Sequence, residues 1–302
     1  MQFIKVRFSR LEIALVLAIV VAVGSVRTGS ASYVSEHRRE DHVFGVVMST
    51  GRCATKFLFQ ALRCAPGTKC VIKFEYESPE KYTFMTKVVH PAMAHNDTVA
   101  MSDYVKSQKI PRMLSELEKA DASIYVDTGH QVVLGMLDTL LDELGDSLRI
   151  IRLRRDRLST AASFAGDPTK KDPCRYTFKE DYLHYCPFHK AALVQPVSPA
   201  HWDKMNLFQK YLWWVDEVEA QWSRLLERRG NTMHYMEVNF SGPLSESQVA
   251  SMAEFLGVSY DLKAARRTSV NHHNTAGFGK IWMKLKDFEY RGMMPNDTIF
   301  SF

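Results

Sequence analysis

The chain has 302 residues with 46% apolar and 24% charged content, enough apolar side chain to bury a substantial core in one large domain. Its formal net charge of +5 is mild and comes with no aromatic-basic recognition module, which argues against nucleic acid as a partner and fits small anionic ligands and acidic glycans. Without internal repeats or low-complexity tracts, the sequence reads as a single α/β domain behind an N-terminal leader.

In the leader, Lys5, Arg7 and Arg10 precede the apolar stretch Ile13 to Val26, and the small residues Gly29, Ser30 and Ala31 follow. This is the layout of a secretory-route signal. Cleavage after Ala31 leaves a lumenal or secreted protein, whereas retention leaves a single-pass membrane anchor with its N-terminus in the cytosol. The apolar stretch is shorter than the roughly 20 residues of an average span, but membranes of the secretory path are thinner than average and the anchor is the reading adopted. Residues 1–31 are then a signal peptide or signal anchor, 32–42 a short stem, and 43–302 the folded domain.

Phe44 to Leu58, FGVVMSTGRCATKFL, runs from an apolar strand through a small-residue turn into a helix. A helix N-terminus leaves backbone N–H groups without intrahelical partners and carries partial positive charge, so such a turn is a phosphate cradle. Arg52, Thr55 and Lys56 add side-chain donors. In a nucleoside triphosphatase the loop would read G-x-x-x-x-G-K-[ST]; here Gly51 is followed by Arg-Cys-Ala-Thr-Lys, without the magnesium-holding Lys-Ser/Thr pair. The plainer reading is an ordinary strand-to-helix turn with a surface Arg and Lys.

A second strand is predicted in VIKFEYESP, at whose end Glu75 and Glu77 share one face. They are candidate bases if burial raises their pKa, or else solvent-facing carboxylates on an edge strand. Ile124 to Leu144 contains a strand ending in Asp127, Thr128, Gly129 and His130, then a helix whose apolar positions Val132, Val133, Met136, Leu137, Leu140, Leu141 and Leu144 repeat at helical spacing. Thr128 and His130 either face a ligand crevice at the strand's carboxyl end or form the cap and start of that helix. Leu148 to Phe164, LRIIRLRRDRLSTAASF, repeats the strand, basic turn and helix. Its Arg152, Arg154, Arg155 and Arg157 form either an anion site or a solvated face.

Five cysteines fit an oxidising compartment. Cys174 and Cys186 bracket a Pro-, Tyr- and His-containing loop with little helical or strand pattern, which a disulfide would confine. Cys64 with Cys70 is the second pair, and Cys53 is the odd one out. Zinc, with His184 and His189 near Cys186, is the competing use, although the spacings match no familiar zinc module. Sequons at Asn96, Asn239 and Asn296 would accept glycans in a lumenal protein. Further on, Leu207 to Leu226 predicts a core-packing helix on which Trp213 or Trp214 either packs or meets a base. Thr232 to Val238 predicts a strand, and Ser245 with Gln248 the capping box of a helix ending near Leu256.

Together these motifs resemble the sulfotransferases that use 3′-phosphoadenosine 5′-phosphosulfate, over roughly Val43 to Gly257. Arg52-Cys53-Ala54-Thr55 stands at the family's 5′-phosphosulfate loop, often written [KR]-[ST]-G-[TS], with Cys53 for the usual Ser or Thr and Ala54 for the usual Gly. Arg155 and Ser163 have the spacing of the family's Arg and Ser on the 3′-phosphate, and Tyr125 to His130 matches a Y-x-[ED]-T-[SG]-H element. FQKYLWWVDEVEAQW resembles a family helix whose Trp could meet adenine. Phe74 stands at the place of a His in related enzymes, and the family's closing Arg-Lys-Gly is not present, although Arg266 and Arg267 lie in that region.

The resemblance implies an α/β three-layer sandwich with a central parallel sheet, P-loop nucleotide-hydrolase-like. It places Gly51, Arg52, Cys53, Ala54, Thr55 and Lys56 around the 5′-phosphate, and Arg155 and Ser163 on the 3′-phosphate. Arg52 contacts the leaving phosphate, the base is Glu75, Glu77 or His130, and no metal is needed. A glycan or small hydroxylated acceptor and a Golgi setting follow, many carbohydrate sulfotransferases being Golgi proteins with this layout. A magnesium-dependent kinase or other phosphotransferase, or a tethered nucleotide-binding protein that lost catalysis, are the alternatives.

Overall fold

Period-two alternation governs the centre of the molecule, because successive side chains of a strand point to opposite faces and both faces here are covered. In the computed structural model, residues 42–74, 88–167, 172–174, 186–194 and 197–269 are described, with backbone alone at His90, His130, Gln131 and 267–269. The chain divides into two units, 1–42 and 43–302. In chain order the second unit runs β1 (Val43–Met48), α1 (Thr55–Ala61), β2 (Leu62–Arg63), β3 (Cys70–Lys73), α2 (His90–His95), α3 (Thr98–Tyr104), a π-helical turn at Val105–Lys109 and α4 (Ile110–Ala120). There follow β4 (Ile124–Asp127), α5 (Leu137–Leu144), β5 (Leu148–Arg155), α6 (Arg157–Ala165), α7 (Pro199–Lys204), α8 (Leu207–Arg229), β6 (His234–Phe240), α9 (Glu246–Leu256), β7 (Ser259–Tyr260) and α10 (Leu262–Ser269).

Five strands form one sheet in the order β3-β4-β1-β5-β6, with every neighbouring pair parallel. Short β2 and β7 pair antiparallel in a separate ribbon. On one sheet face, Phe44, Val46, Met48, Tyr125, Leu148 and Ile150 pack with α4, α5, α6 and α8. On the other, Val47, Val126, Ile151 and Leu153 pack with α1, α9 and α10. The result is an α/β fold with a central parallel sheet between two helical layers. Gly45 of β1 lets α9 approach: a Cβ there would stand 2.5 Å from Cδ2 of Leu256 and 3.3 Å from Val126.

Several local expectations hold. Ser245 and Gln248 form the reciprocal capping box of α9; a second box, Asn206 with Gln209, which the sequence reading missed, opens the 23-residue α8. Cys64 is bonded to Cys70 and Cys174 to Cys186, while Cys53 is free and buried. Others need correction. The helix expected from Val132 onward begins only at Leu137; a 3-10 turn covers His130–Val133, and Gly135 at φ 86° separates the two. Both pieces still bury their apolar residues, so the periodicity was correct and continuity was not. The strand predicted from Thr232 spans His234–Phe240, after a 3-10 turn at Gly230–Thr232.

Among the described residues no helix is long and apolar enough to cross a membrane. The leader lies outside them.

Candidate functional site

The strand order itself locates a crevice. From β1 the chain leaves toward β3 on one side of the sheet, whereas from its neighbour β5 it leaves toward β6 on the other. Connections diverging from adjacent parallel strands open a gap at their carboxyl ends, where ligands of open α/β sheets bind. The segments bordering this gap are Ser49 to Ala54 after β1 and Arg155 with Asp156 after β5.

The loop after β1 has an unusual backbone. Gly51, Arg52 and Ala54 have φ of 80°, 55° and 57°, left-handed values that only glycine adopts without cost. Such outliers persist where surrounding structure over-determines them, and here the bracing is visible. Trp214 of α8 donates its Nε1 hydrogen to the Thr50 carbonyl at 2.9 Å. The Gly51 N–H donates to Ser49 Oγ at 3.1 Å, and Thr50 Oγ1 meets Cys53 Sγ at 3.1 Å. Ala54 occupies the N-cap of α1, and no side chain caps that terminus.

Gly51, Cys53 and Thr55 are buried, Ala54 is half-buried and Lys56 is exposed. Burial pushes the Cys53 thiol up, against the lowering effect of its Thr50 hydrogen bond and of the Arg152 and Arg155 charges. A neutral thiol adds no negative charge to the loop. That makes Cys53 a small packed filler at the position where the resemblance has Ser or Thr.

The basic run of β5 separates into different roles. Arg152 is fully buried and ion-paired with Glu219 of α8. Arg154 pairs with Glu219 at 3.0 Å and with Glu237 at 3.4 Å. Arg157 makes a fork with Asp216, Nε to Oδ1 and Nη2 to Oδ2, both at 2.5 Å. Neither a solvated face nor a four-arginine anion site describes this run. Arg155 is the one that reaches the loop, its Nη1 donating to the Arg52 carbonyl at 3.4 Å. Ser163 lies half-buried in the second turn of α6, whose N-terminus Asp156 caps by accepting from the Ser159 N–H at 2.7 Å.

Arg52 is held differently from the sequence expectation. Its guanidinium is ion-paired with Asp167, just past α6, and lies 5.6 Å from the Phe164 ring centroid. Phe164 in turn stacks on Tyr211 at 4.6 Å. Both charged side chains keep some solvent contact, at 16% and 20% exposure. No spacing in the sequence marks Asp167, which meets Arg52 only through the fold.

The end of β4 is held by backbone and ion-pair contacts. Thr128 does not cap a helix; its N–H and its Oγ1 both donate to the Lys73 carbonyl, at 3.0 and 3.2 Å. Asp127, at 1% exposure, pairs with Lys109, at 3%, across 2.9 Å and accepts from the Gly129 N–H at 2.8 Å. Lys109 closes the π-helical turn, and the sequence reading missed this ion pair. His130 opens the 3-10 turn, and its side chain, like Glu75 and Glu77, lies outside the described residues.

Trp213 and Trp214 are both buried: Trp213 meets Trp202 edge-on at 5.8 Å, and Trp214 braces the loop. His189 Nδ1 accepts from the Cys186 N–H at 3.2 Å, and the Cys186 sulfur is committed to its disulfide, which leaves no zinc site on that cysteine. Among the described residues no group of three or more His, Cys, Asp or Glu side chains is placed to hold a metal. Arg266 is exposed on α10, a helix packed against α1; the side chain of Arg267 lies outside the described residues. A hollow of about 350 Å³ lies away from the loop, between α2, α3 and the π-helical turn, lined by His95, Asp97, Asp103 and Tyr104 among others.

Chemically, the gap between β1 and β5 is bordered by a braced loop at a helix start without a side-chain cap and by the guanidinium groups of Arg52 and Arg155. That is an anion-binding arrangement. No protein-family model matches the chain, and comparisons with curated proteins and with solved structures give no match either.

Proposed function

We propose that this domain is a sulfotransferase, moving a sulfuryl group from 3′-phosphoadenosine 5′-phosphosulfate to a hydroxyl of a carbohydrate-type acceptor in the secretory pathway. The observation that carries the reading is the meeting of the left-handed loop Gly51 to Ala54 with Arg155 at the β1/β5 divergence. The strand order fits the P-loop-like sheet that the resemblance implies. A donor with phosphate groups at the 3′ and 5′ positions of its ribose calls for two anion contacts, and the basic groups at the ends of β1 and β5 support that reading.

In the transfer, the sulfur–oxygen bond to the donor's bridging oxygen breaks while a bond to the acceptor oxygen forms, and the acceptor's proton passes to a base. Charge grows on the bridging oxygen, which fixed positive groups stabilise without reorganising. Arg52 and the α1 N–H groups are the stabilisers by position, with Thr55 beside them. Arg155 and Ser163 are the candidates for the 3′-phosphate. Glu75, Glu77 and His130 remain the candidate bases.

Titration with 3′-phosphoadenosine 5′-phosphate, the desulfated product, tests the proposal. Wild-type protein at about 100 times the dissociation constant should gain roughly 2.7 kcal/mol of stability, seen as a rise in Tm. Arg155→Ala should weaken binding by at least tenfold. No binding by the wild type refutes the reading; binding without transfer to any member of a glycan and phenol panel marks a nucleotide-binding protein that is not a catalyst.

A further inference from the structure

We infer that Asn96 carries an N-linked glycan and that Asn239, although it also lies in a sequon, does not. Asn96-Asp97-Thr98 is an Asn-x-Thr acceptor. A bulky, solvated sugar chain demands a surface turn, and Asn96 meets this demand. It is exposed, it ends α2 in the left-handed conformation at φ 55° and ψ 41°, and Asp97 and Thr98 beside it are exposed as they start α3. Asn96 also stands on the rim of a hollow of about 150 Å³, lined across from it by Asp138, Gln221, Arg224 and Arg228. Polar groups there suit the first sugar residues.

Asn239-Phe240-Ser241 has the same pattern and Asn239 is also exposed, but it lies in a strand rather than in a turn. Asn239 lies within β6, in register with Arg154 of β5, and its carbonyl accepts from Gln248 Nε2 at 2.9 Å. Its backbone is extended along the edge strand and braced by α9, unlike the left-handed turn at Asn96. The two disulfides supply an independent argument for the compartment, since such bonds persist where the surroundings are oxidising.

The modification is a group transfer. The Asn96 side-chain nitrogen bonds to the anomeric carbon of an oligosaccharide carried on a membrane lipid diphosphate. The carbon–oxygen bond to the diphosphate breaks, the lipid diphosphate leaves, and the amide proton passes to the host transferase. This inference rests on the secretory part of the proposed function and on nothing in the sulfuryl chemistry.

Full-length chain translated with microsomes, then treated with protease or with an N-glycan-cleaving amidase, tests it. The wild type should be protected and should drop in apparent mass after deglycosylation. Asn96→Gln and Thr98→Ala should each lose one glycan step, and Asn239→Gln should lose none; Asn296→Gln accounts for the third sequon, which lies outside the described residues. A protected chain whose mobility Asn96→Gln and Thr98→Ala leave unchanged overturns the assignment while sparing the secretory reading. A step lost in Asn239→Gln overturns the exclusion. A chain left open to protease overturns both the inference and the lumenal location.

Discussion

Ala54→Gly should stabilise the protein, although glycine usually does the reverse. Ala54 sits at φ 57° and ψ 20°, a region that costs an L-residue about 1–2 kcal/mol. Two smaller effects oppose the relief: the greater freedom of glycine in the unfolded chain, about 0.4–1 kcal/mol, and loss of a half-buried methyl group, about 0.4 kcal/mol by halving the buried-methylene value. The net is a gain of about 0.5 kcal/mol. Ala161→Gly is the control, because Ala161 is fully buried inside α6. There glycine should cost about 2 kcal/mol, half from helix propensity and the rest from the lost methyl group. Equilibrium urea unfolding at unchanged m-value reads both as shifts in midpoint. If Ala54→Gly lowers the midpoint as Ala161→Gly does, the loop's left-handed geometry is not a cost that its surroundings carry, and the case for a braced, pre-set cradle fails.

Other outcomes follow from the same geometry. Asp167→Asn should tighten binding of 3′-phosphoadenosine 5′-phosphate about tenfold by calorimetry, because the ligand no longer competes with a carboxylate for Arg52; a half-exposed charged hydrogen bond discounted to about 1.4 kcal/mol corresponds to that factor. Unchanged or weaker binding would mean that Asp167 positions Arg52 instead. Lys109→Met should destabilise by about 3 kcal/mol in urea by leaving Asp127 buried and unpaired, and Lys109→Met with Asp127→Leu should recover most of the loss. Burial alone would raise the Asp172 carboxyl, but bonds from Lys210, the Cys174 N–H and Trp202 outweigh it and hold the group below 3.8. Its contribution is therefore complete above that pH and lost as the pH falls further, so Asp172→Asn should flatten the acid limb of a Tm-against-pH curve. Burial pushes the Glu217 carboxyl up from 4.5 despite bonds from the Val194 N–H, Gln221 and the Leu193 N–H. Its sign is opposite: stability declines as pH rises through that window, a decline that Glu217→Gln should remove.

Elements built on local pattern were legible in the sequence. β1 and β5 announce themselves as apolar runs, the Ser245–Gln248 capping box fixes the start of α9, and the Cys174–Cys186 disulfide follows from the patternless loop between them. Period two also puts Arg152 on the face of Leu148 and Ile150, and Arg155 on the face of Ile151 and Leu153. What the alternation lacks is the partner. Glu219 decides that Arg152 is structural, and it lies in a helix whose docking no local rule specifies. The same holds for Trp214, which reads as core or as ligand contact until the Thr50 carbonyl is seen to take its hydrogen. For α5 the apolar spacing continued smoothly through Gly135, and only that residue's positive φ breaks the helix. Asp167 and the Lys109–Asp127 pair were invisible because their partners come from other elements.

Helix α8 touches nearly every fixed part of the candidate site: Trp214 holds the loop after β1, Glu219 the end of β5, Asp216 the start of α6 through Arg157, and Glu217 the backbone at Leu193 and Val194. In engineering terms it is the datum from which the other parts are dimensioned. Displacements of the loop and of β5 share a common origin and largely cancel in the distance between them. The rim contact between Arg52 and Asp167 shares that origin at one remove, since Arg52 lies over Phe164, which stacks on Tyr211 of α8. In the proposed function, the spacing between the two anion contacts is therefore set by one helix.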